Sequence, residues 1–402
     1  MTIEFGLEAF FESKDVSGRA GLITNATGRD RNGLHIVGRI AAHPRLKLVR
    51  IFTPEHGFGA DAPDGEAVAD GTHDDDQIKS DTVGRERKTD HKITRPVPIV
   101  SLYGPKKAPS TDDLDGLDML IYDIQDVGTR FYTYISTLRN IIDAAGQTGI
   151  PVHVLDRPDL MGGNTIEGPM LTSGFESFVG HLPIALRYGL TPGELAIWWN
   201  NRRDKPAPLT IWPLKGWRRG MSFSDWGMPW VKPSPSMCSP ATASFYPGTC
   251  LFEGTNLSEG RGTDAPFQIF GAPWVTPNPW REALQPLLPT GISVLTTSFV
   301  PTFSKFTGET CQGIRLESDL PLFENCMDIA LHTIATFMKT HPERIEFNRR
   351  PTLPHPFFDH LAGCSWLRDG LVRGIPVDEL VGRANEETKP FSQSRTQVLL
   401  YK

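Results

Sequence analysis

Short apolar, β-branched runs alternate with helically spaced stretches through the first half of the chain. Residues 19–24 (RAGLIT), 48–52 (LVRIF), 98–102 (PIVSL), 118–124 (DMLIYDI), 151–155 (PVHVL) and 209–212 (LTIW) predict buried strands. Apolar residues recur at helical spacing over 3–12, 33–43 and 131–145, and a Thr-Pro signal opens a helix over 191–200. Strand, helix and strand joined by short links make βαβ units, and hence a parallel sheet. Around residues 217–232 the composition turns to Trp, Gly and Arg, which marks a domain junction. Residues 233–263 show little periodicity and read as one long loop, a feature that in a compact protein is usually functional. Beyond it the pattern predicts a helix over 280–288, a strand over 293–300, a long helix over 323–340 and short helices near 357–361 and 377–381.

The strands release polar residues at one end. The 48–52 run breaks at Pro54 into Glu55-His56, followed by Gly57 and Gly59; the 118–124 run leads into Gln125-Asp126-Val127-Gly128-Thr129-Arg130; the 151–155 run ends in Asp156-Arg157-Pro158. In open α/β sheets ligands collect beyond the carboxyl ends of the strands, so this convergence marks a candidate site. Glu55 and His56 make an acid/base pair there, or else Pro54 ends the strand and both only fill a turn. Asp126 is either a ligand contact or a helix cap paired with Arg130; with Asp123, Gln125, Asp126, Arg130 and Tyr132 crowded together, ligand contact is favoured for at least two of them. Asn25 can donate and accept at once, so it suits a ligand hydroxyl or amide as well as a turn. Tyr103 follows the 98–102 strand. The loop 233–263 adds Ser236, Tyr246, Glu253, Asn256, Glu259 and Arg261.

Composition narrows the classes. At 402 residues, two domains are expected, and a formal charge of −6 argues against a nucleic-acid partner. No apolar run of membrane-spanning length occurs, so no membrane partner is expected. The five cysteines are scattered and lack CxxC spacing, which fits a reducing compartment, and a cytoplasmic location is expected. The sequence lacks GxGxxG after a strand, a P-loop, GxSxG and HExxH, so no cofactor is expected. The run His73 to Asp76 could offer hard-metal ligands, although adjacent carboxylates in a polar loop are usually only solvated. That polar stretch, 60–91, reads as a lid or an irregular excursion. A monomer or weak homodimer is expected.

PEHGFG, SLYG, YDIQDVGTRFYTY, VLDRPD, IEGP, FVGHLPI, TPGELA, PSPSM, FYPG and FEGTNLSEGRGTDAPF occur in one order along the chain. Together they resemble the exo-β-N-acetylmuramidase family of bacterial peptidoglycan hydrolases (NamZ-type, formerly a DUF1343 domain). The resemblance implies a Rossmann-like, mostly parallel sheet domain (1–222) and a smaller C-terminal α/β domain (223–402), with the active cleft between them. It implies Glu55 as the catalytic glutamate, with the DIQDVG-R-YTY and SEGRGT segments lining the pocket. Two departures stand out: Arg187-Tyr188-Gly189 where the family often has RHG, and Asp159-Leu160 within DRPDL where DRPNP is common.

Glycoside cleavage needs a proton donor, which Glu55 suits, and usually a second carboxylate, for which Glu259, Asp126 and Asp123 are candidates. The 2-acetamido group of N-acetylmuramic acid is an alternative internal nucleophile. The sugar's lactyl carboxylate calls for a cation, and Arg130, Arg157 and Arg261 follow the motifs. His56, Tyr103, Asp156 and Ser236 are further candidates for substrate contact. The expected activity is release of terminal non-reducing N-acetylmuramic acid from a peptidoglycan-derived disaccharide or short glycan, in cell-wall recycling. A metal-dependent hydrolase using His56, His73 and the Asp run, and a non-catalytic muropeptide-binding protein, are the alternatives.

Overall fold

The computed structural model describes residues 3–63, 65–73 and 96–402. The chain opens with helix α1 (Gly6–Glu12), strand β1 (Gly18–Thr24), helix α2 (Ile36–Ala41) and strands β2 (Leu46–Thr53), β3 (Gly71–His73) and β4 (Val97–Ser101). Helix α3 (Thr111–Leu114), strand β5 (Met119–Asp123), helix α4 (Tyr134–Thr148) and strand β6 (Val152–Leu155) follow. An antiparallel pair, β7 (Glu167–Met170) and β8 (Ala185–Arg187), precedes helix α5 (Pro192–Asn200) and strand β9 (Leu209–Trp212).

Among the described residues, seven strands form the main sheet in the order β3-β4-β2-β1-β5-β6-β9, parallel throughout except for β3 against β4. The β5 residues are buried along the whole strand, which is why that run reads as continuously apolar rather than alternating. The order reverses at β1, so the crevice between the ends of β1 and β5 is the topological switch point.

The second part holds helix α6 (Pro240–Thr249), strand β10 (Ile269–Ala272), helix α7 (Pro277–Leu284), strands β11 (Ile292–Phe299) and β12 (Cys311–Ser318) and helix α8 (Cys326–Thr340). Helices α9 (Phe357–Ala362), α10 (Trp366–Val372), α11 (Val377–Glu387) and α12 (Lys389–Arg395) close the chain. Its strands form a separate antiparallel sheet in the order β10-β12-β11. No helix among the described residues is long and apolar enough to cross a membrane.

Residues 233–263 are not the single loop expected. Helix α6 begins at Pro240 with its first turn capped by the Ser239 hydroxyl, which accepts the Thr242 N–H at 3.1 Å, and a 3₁₀ turn, Cys250–Gly254, continues it. From Thr242 to Thr249 every residue of α6 is buried, so no polar face exists to betray a helical period.

One continuous apolar core runs through both parts, from Leu22 and Ile121 to Phe270 and Ile334. The C-terminal tail returns to the first part. The Tyr401 hydroxyl donates to Asp156 at 2.5 Å, the Leu400 N–H to Glu194 at 2.8 Å, and the Arg395 guanidinium to the Gly189 carbonyl at 2.7 Å.

Candidate active site

Strand β2 ends at Thr53, and Pro54, lacking an N–H, ends the ladder there. The turn that follows is tight: the Gly57 N–H donates to the Pro54 carbonyl at 3.1 Å, and His56 and Gly57 both adopt left-handed backbone, φ +70° and +72°. A non-glycine residue in that region is uncommon and clusters at functional sites. The turn buries the Glu55 side chain at 7% exposure. Its carboxylate accepts the Thr133 hydroxyl at 2.6 Å and the Gly65 N–H at 3.0 Å, two donors that hold it in one orientation. His56 Nδ1 lies 2.8 Å from the Ala62 carbonyl, so that nitrogen carries a hydrogen.

Glu55 and His56 line a cavity of about 370 Å³, the scale of a small-molecule site. Phe131, Tyr132 and Thr133, just before α4, form the adjoining wall, with Tyr103 and Phe178 beyond. Lys107 Nζ rests 4.1 Å from the Tyr103 ring centre and 4.0 Å from that of Phe178, a cation–π clamp on this edge. The second part supplies the opposite wall: Ser234, Ser236, Tyr246, Cys250, Glu253, Arg261, Phe267 and Arg350. Aromatic edges cross the junction, with Phe131 at 5.1 Å and Tyr132 at 5.9 Å from Tyr246. The cavity thus lies between the two parts, as the resemblance implies.

An ionic network backs the second wall. Arg261 donates to the Ser236 hydroxyl at 2.7 Å and to Glu253 at 2.8 Å, and its Nε lies 3.4 Å from Glu259. Lys305 holds the other Glu259 oxygen at 2.9 Å. Glu259 is buried and does not line the cavity; Glu253 does.

Seven candidates from the strand ends lie outside the cavity walls, each with structural partners. Asp123 pairs with Arg157 at 2.5 Å, and Arg157 also donates to the Arg29 carbonyl; this pair fills the space beyond β5 near the switch-point crevice. Asn25 accepts the Thr27 N–H and hydroxyl at 3.0 and 2.6 Å, and the Gln125 amide donates to the Asp126 and Pro158 carbonyls. Asp126 neither caps α4 nor meets Arg130: it accepts the Gly128 N–H at 2.7 Å and the Tyr188 hydroxyl. Arg130 is fully buried and donates to four carbonyls, those of Pro169, Ile184, Leu361 and Ala362. Asp156 caps α5 through the Gly193 N–H and Thr191 hydroxyl. The Tyr188 and Asp159 departures likewise fall outside the cavity. Asn256 ties its own segment to the 344–346 stretch, donating to the Arg344 carbonyl and accepting the Glu346 N–H.

His73 is buried against Phe58, while Asp74 to Asp76 and most of the expected lid lie outside the described residues. Among the described residues, the group of closely spaced potential metal ligands is Asp328, His332 and Asp378, none of which lines the cavity. Arg350 escaped the sequence reading because NRRPTLP carries no periodic or motif signal. Thr133 and Phe178 sat within segments already marked, YTY and FVGHLPI.

Burial pushes the Asp126 and Asp156 carboxyls up to about 7, with the Tyr188 and Tyr401 hydroxyls partly offsetting it. A carboxyl raised in the folded state favours folding fully below the ordinary carboxylate range, and that contribution is lost as pH rises toward about 7. Asp126→Asn is therefore expected to flatten the pH dependence of stability. Relative to wild type, the variant should gain on the order of 2–3 kcal/mol between pH 5 and pH 8, read from urea unfolding at both.

Models of the exo-beta-N-acetylmuramidase NamZ family match most of the chain, the N-terminal model over residues 20–88 and 79–241 and the C-terminal model over 244–401. The peptidoglycan beta-N-acetylmuramidase NamZ of Bacillus subtilis (strain 168) is 40% identical over 384 residues, which is 95% of this chain and 87% of that protein. Crystal structures of two DUF1343 family proteins from Bacteroides fragilis NCTC 9343 superpose with TM-scores of 0.85 and 0.74, at 29% and 27% identity. Each match covers 100% of this chain and 99% of the other. With the α/β fold, the cleft between its two parts and both family models in agreement, the chain belongs to the exo-β-N-acetylmuramidase NamZ family.

Proposed function

We propose that this protein is an exo-acting glycoside hydrolase that removes terminal non-reducing N-acetylmuramic acid from peptidoglycan-derived disaccharides or short glycans. Family membership supports the reaction, and one observation carries the mechanism: Glu55 stands in the cavity wall with its carboxyl oriented by Thr133 and the Gly65 N–H. Glu55 gives its proton to the bridging oxygen as the bond to the anomeric carbon breaks, and the alcohol of the next sugar departs. Tyr132, Tyr246 and Phe267 offer apolar faces on which a pyranose ring can stack. A water attacks the anomeric carbon and needs a carboxylate to take its proton. Among the described residues Glu253 is the other carboxylate lining the cavity, so we assign it that role in place of Glu259 or Asp126.

Cell-wall recycling in a reducing compartment fits the five free thiols. The boundary between the parts is read near residue 222, before the serine-rich wall segment begins.

Incubation with a MurNAc-GlcNAc disaccharide, followed by mass spectrometry, is expected to release free N-acetylmuramic acid. Binding of the disaccharide with no release between about pH 4 and pH 9, a span that takes in ordinary carboxylate and histidine titration, would overturn the assignment.

A further inference from the structure

The cavity holds two arginines of different standing. Arg261 is committed, bound to Ser236 and shared between Glu253 and Glu259. Arg350 has only an aromatic partner: its guanidinium carbon lies 3.2 Å from the ring centre of the buried Phe357, and no carboxylate, carbonyl or hydroxyl of the described residues binds it. A planar cation stacked on a ring keeps its edge N–H groups free for a two-pronged contact.

The loop that carries it is tethered rather than free. The Phe357 N–H donates to the Asn348 carbonyl at 2.8 Å, and the Asn348 N–H to the Gly254 carbonyl at 2.8 Å, so the loop is stitched to the turn that presents Glu253. Thr352 and Leu353 of the same loop line the cavity beside Arg350. Glu253, the acid favouring its charge most, is already engaged by Arg261. A positioned, solvent-reachable cation with no counter-charge of its own among the described residues is what an anionic substrate group requires.

We propose that Arg350 receives the lactyl carboxylate of muramic acid and so separates muramic from glucosamine substrates. This inference rests on the muramidase reading and replaces Arg130 and Arg157, which lie outside the cavity walls, and Arg261, whose charge is spent on two glutamates.

The test compares aryl β-glycosides of N-acetylmuramic acid, of the same sugar with its lactyl group amidated, and of N-acetylglucosamine. Wild type is expected to favour the free acid over the amide by about 30-fold or more in kcat/KM, most of it in KM. Arg350→Gln should bring the ratio to within about threefold of one, and Arg350→Lys should fall between, since an ammonium cannot make the paired contact. A ratio unaltered in Arg350→Gln overturns the proposal while leaving the hydrolase reading intact. If wild type cleaves none of the three, the hydrolase reading falls instead. Calorimetric binding of free N-acetylmuramic acid and its amide then decides Arg350 alone: equal loss of both ligands in the variant counts against it, selective loss of the acid supports it.

Discussion

Glu55→Gln is expected to lower turnover of a MurNAc-GlcNAc disaccharide by about 10²–10⁴-fold, the range general acid catalysis supplies. Glutamine keeps the shape of the side chain and can still accept the Thr133 hydroxyl or the Gly65 N–H, so the turn after β2 should hold. What it cannot do is release a proton to the departing oxygen. The loss should therefore fall on kcat rather than KM, and should shrink for aryl glycosides whose phenolate leaves without protonation. Steady-state kinetics on both substrates checks this. Equal losses on the two would separate Glu55 from leaving-group protonation and point to a role in orienting the sugar.

Arg130→Met is expected to cost about 3–5 kcal/mol of folding stability, since several buried carbonyls lose their donor at about 1–3 kcal/mol each, less what relaxation recovers. Arg130 holds a place in the architecture that no apolar side chain can fill. It grips the Pro169 and Ile184 carbonyls of the first part and the Leu361 and Ala362 carbonyls at the end of α9, so one side chain fastens the two parts together. Burial lowers its affinity for the proton only to about 10, so it stays charged at neutral pH. Methionine would leave those carbonyls buried without this donor. Urea unfolding should show a lower midpoint, and Arg130→Lys should recover only part of it, because an ammonium has three donors and no planar fork. A midpoint unmoved in Arg130→Met would mean that water or relaxation satisfies the carbonyls.

The parallel sheet was legible because strands such as β5, buried on both faces, must be apolar along their whole length. The same burial hid α6, since a helix enclosed all round has no polar stripe to count. Strand-end position located Glu55 and His56 beside the cavity, yet it could not separate them from Asp123, Asp126 and Arg157. All five follow strands at one end of the sheet, and only folding reveals that Asp123 and Arg157 partner each other while Glu55 faces the opposite wall. Arg350 was illegible for a different reason. Its place depends on a loop pinned to a turn almost one hundred residues earlier in the chain, Gly254 to Asn348, and local pattern carries no trace of such a tether.

The tail that crosses back to Asp156 bears on what the first part loses by truncation. The acid at the end of β6 lacks that hydroxyl in any product truncated before Tyr401. Leu400 and Arg395 likewise lock the start of helix α5 and the segment before its cap, at Glu194 and Gly189. A product truncated before Arg395 is thereby left with an open seam beside α5 for quality control to recognise.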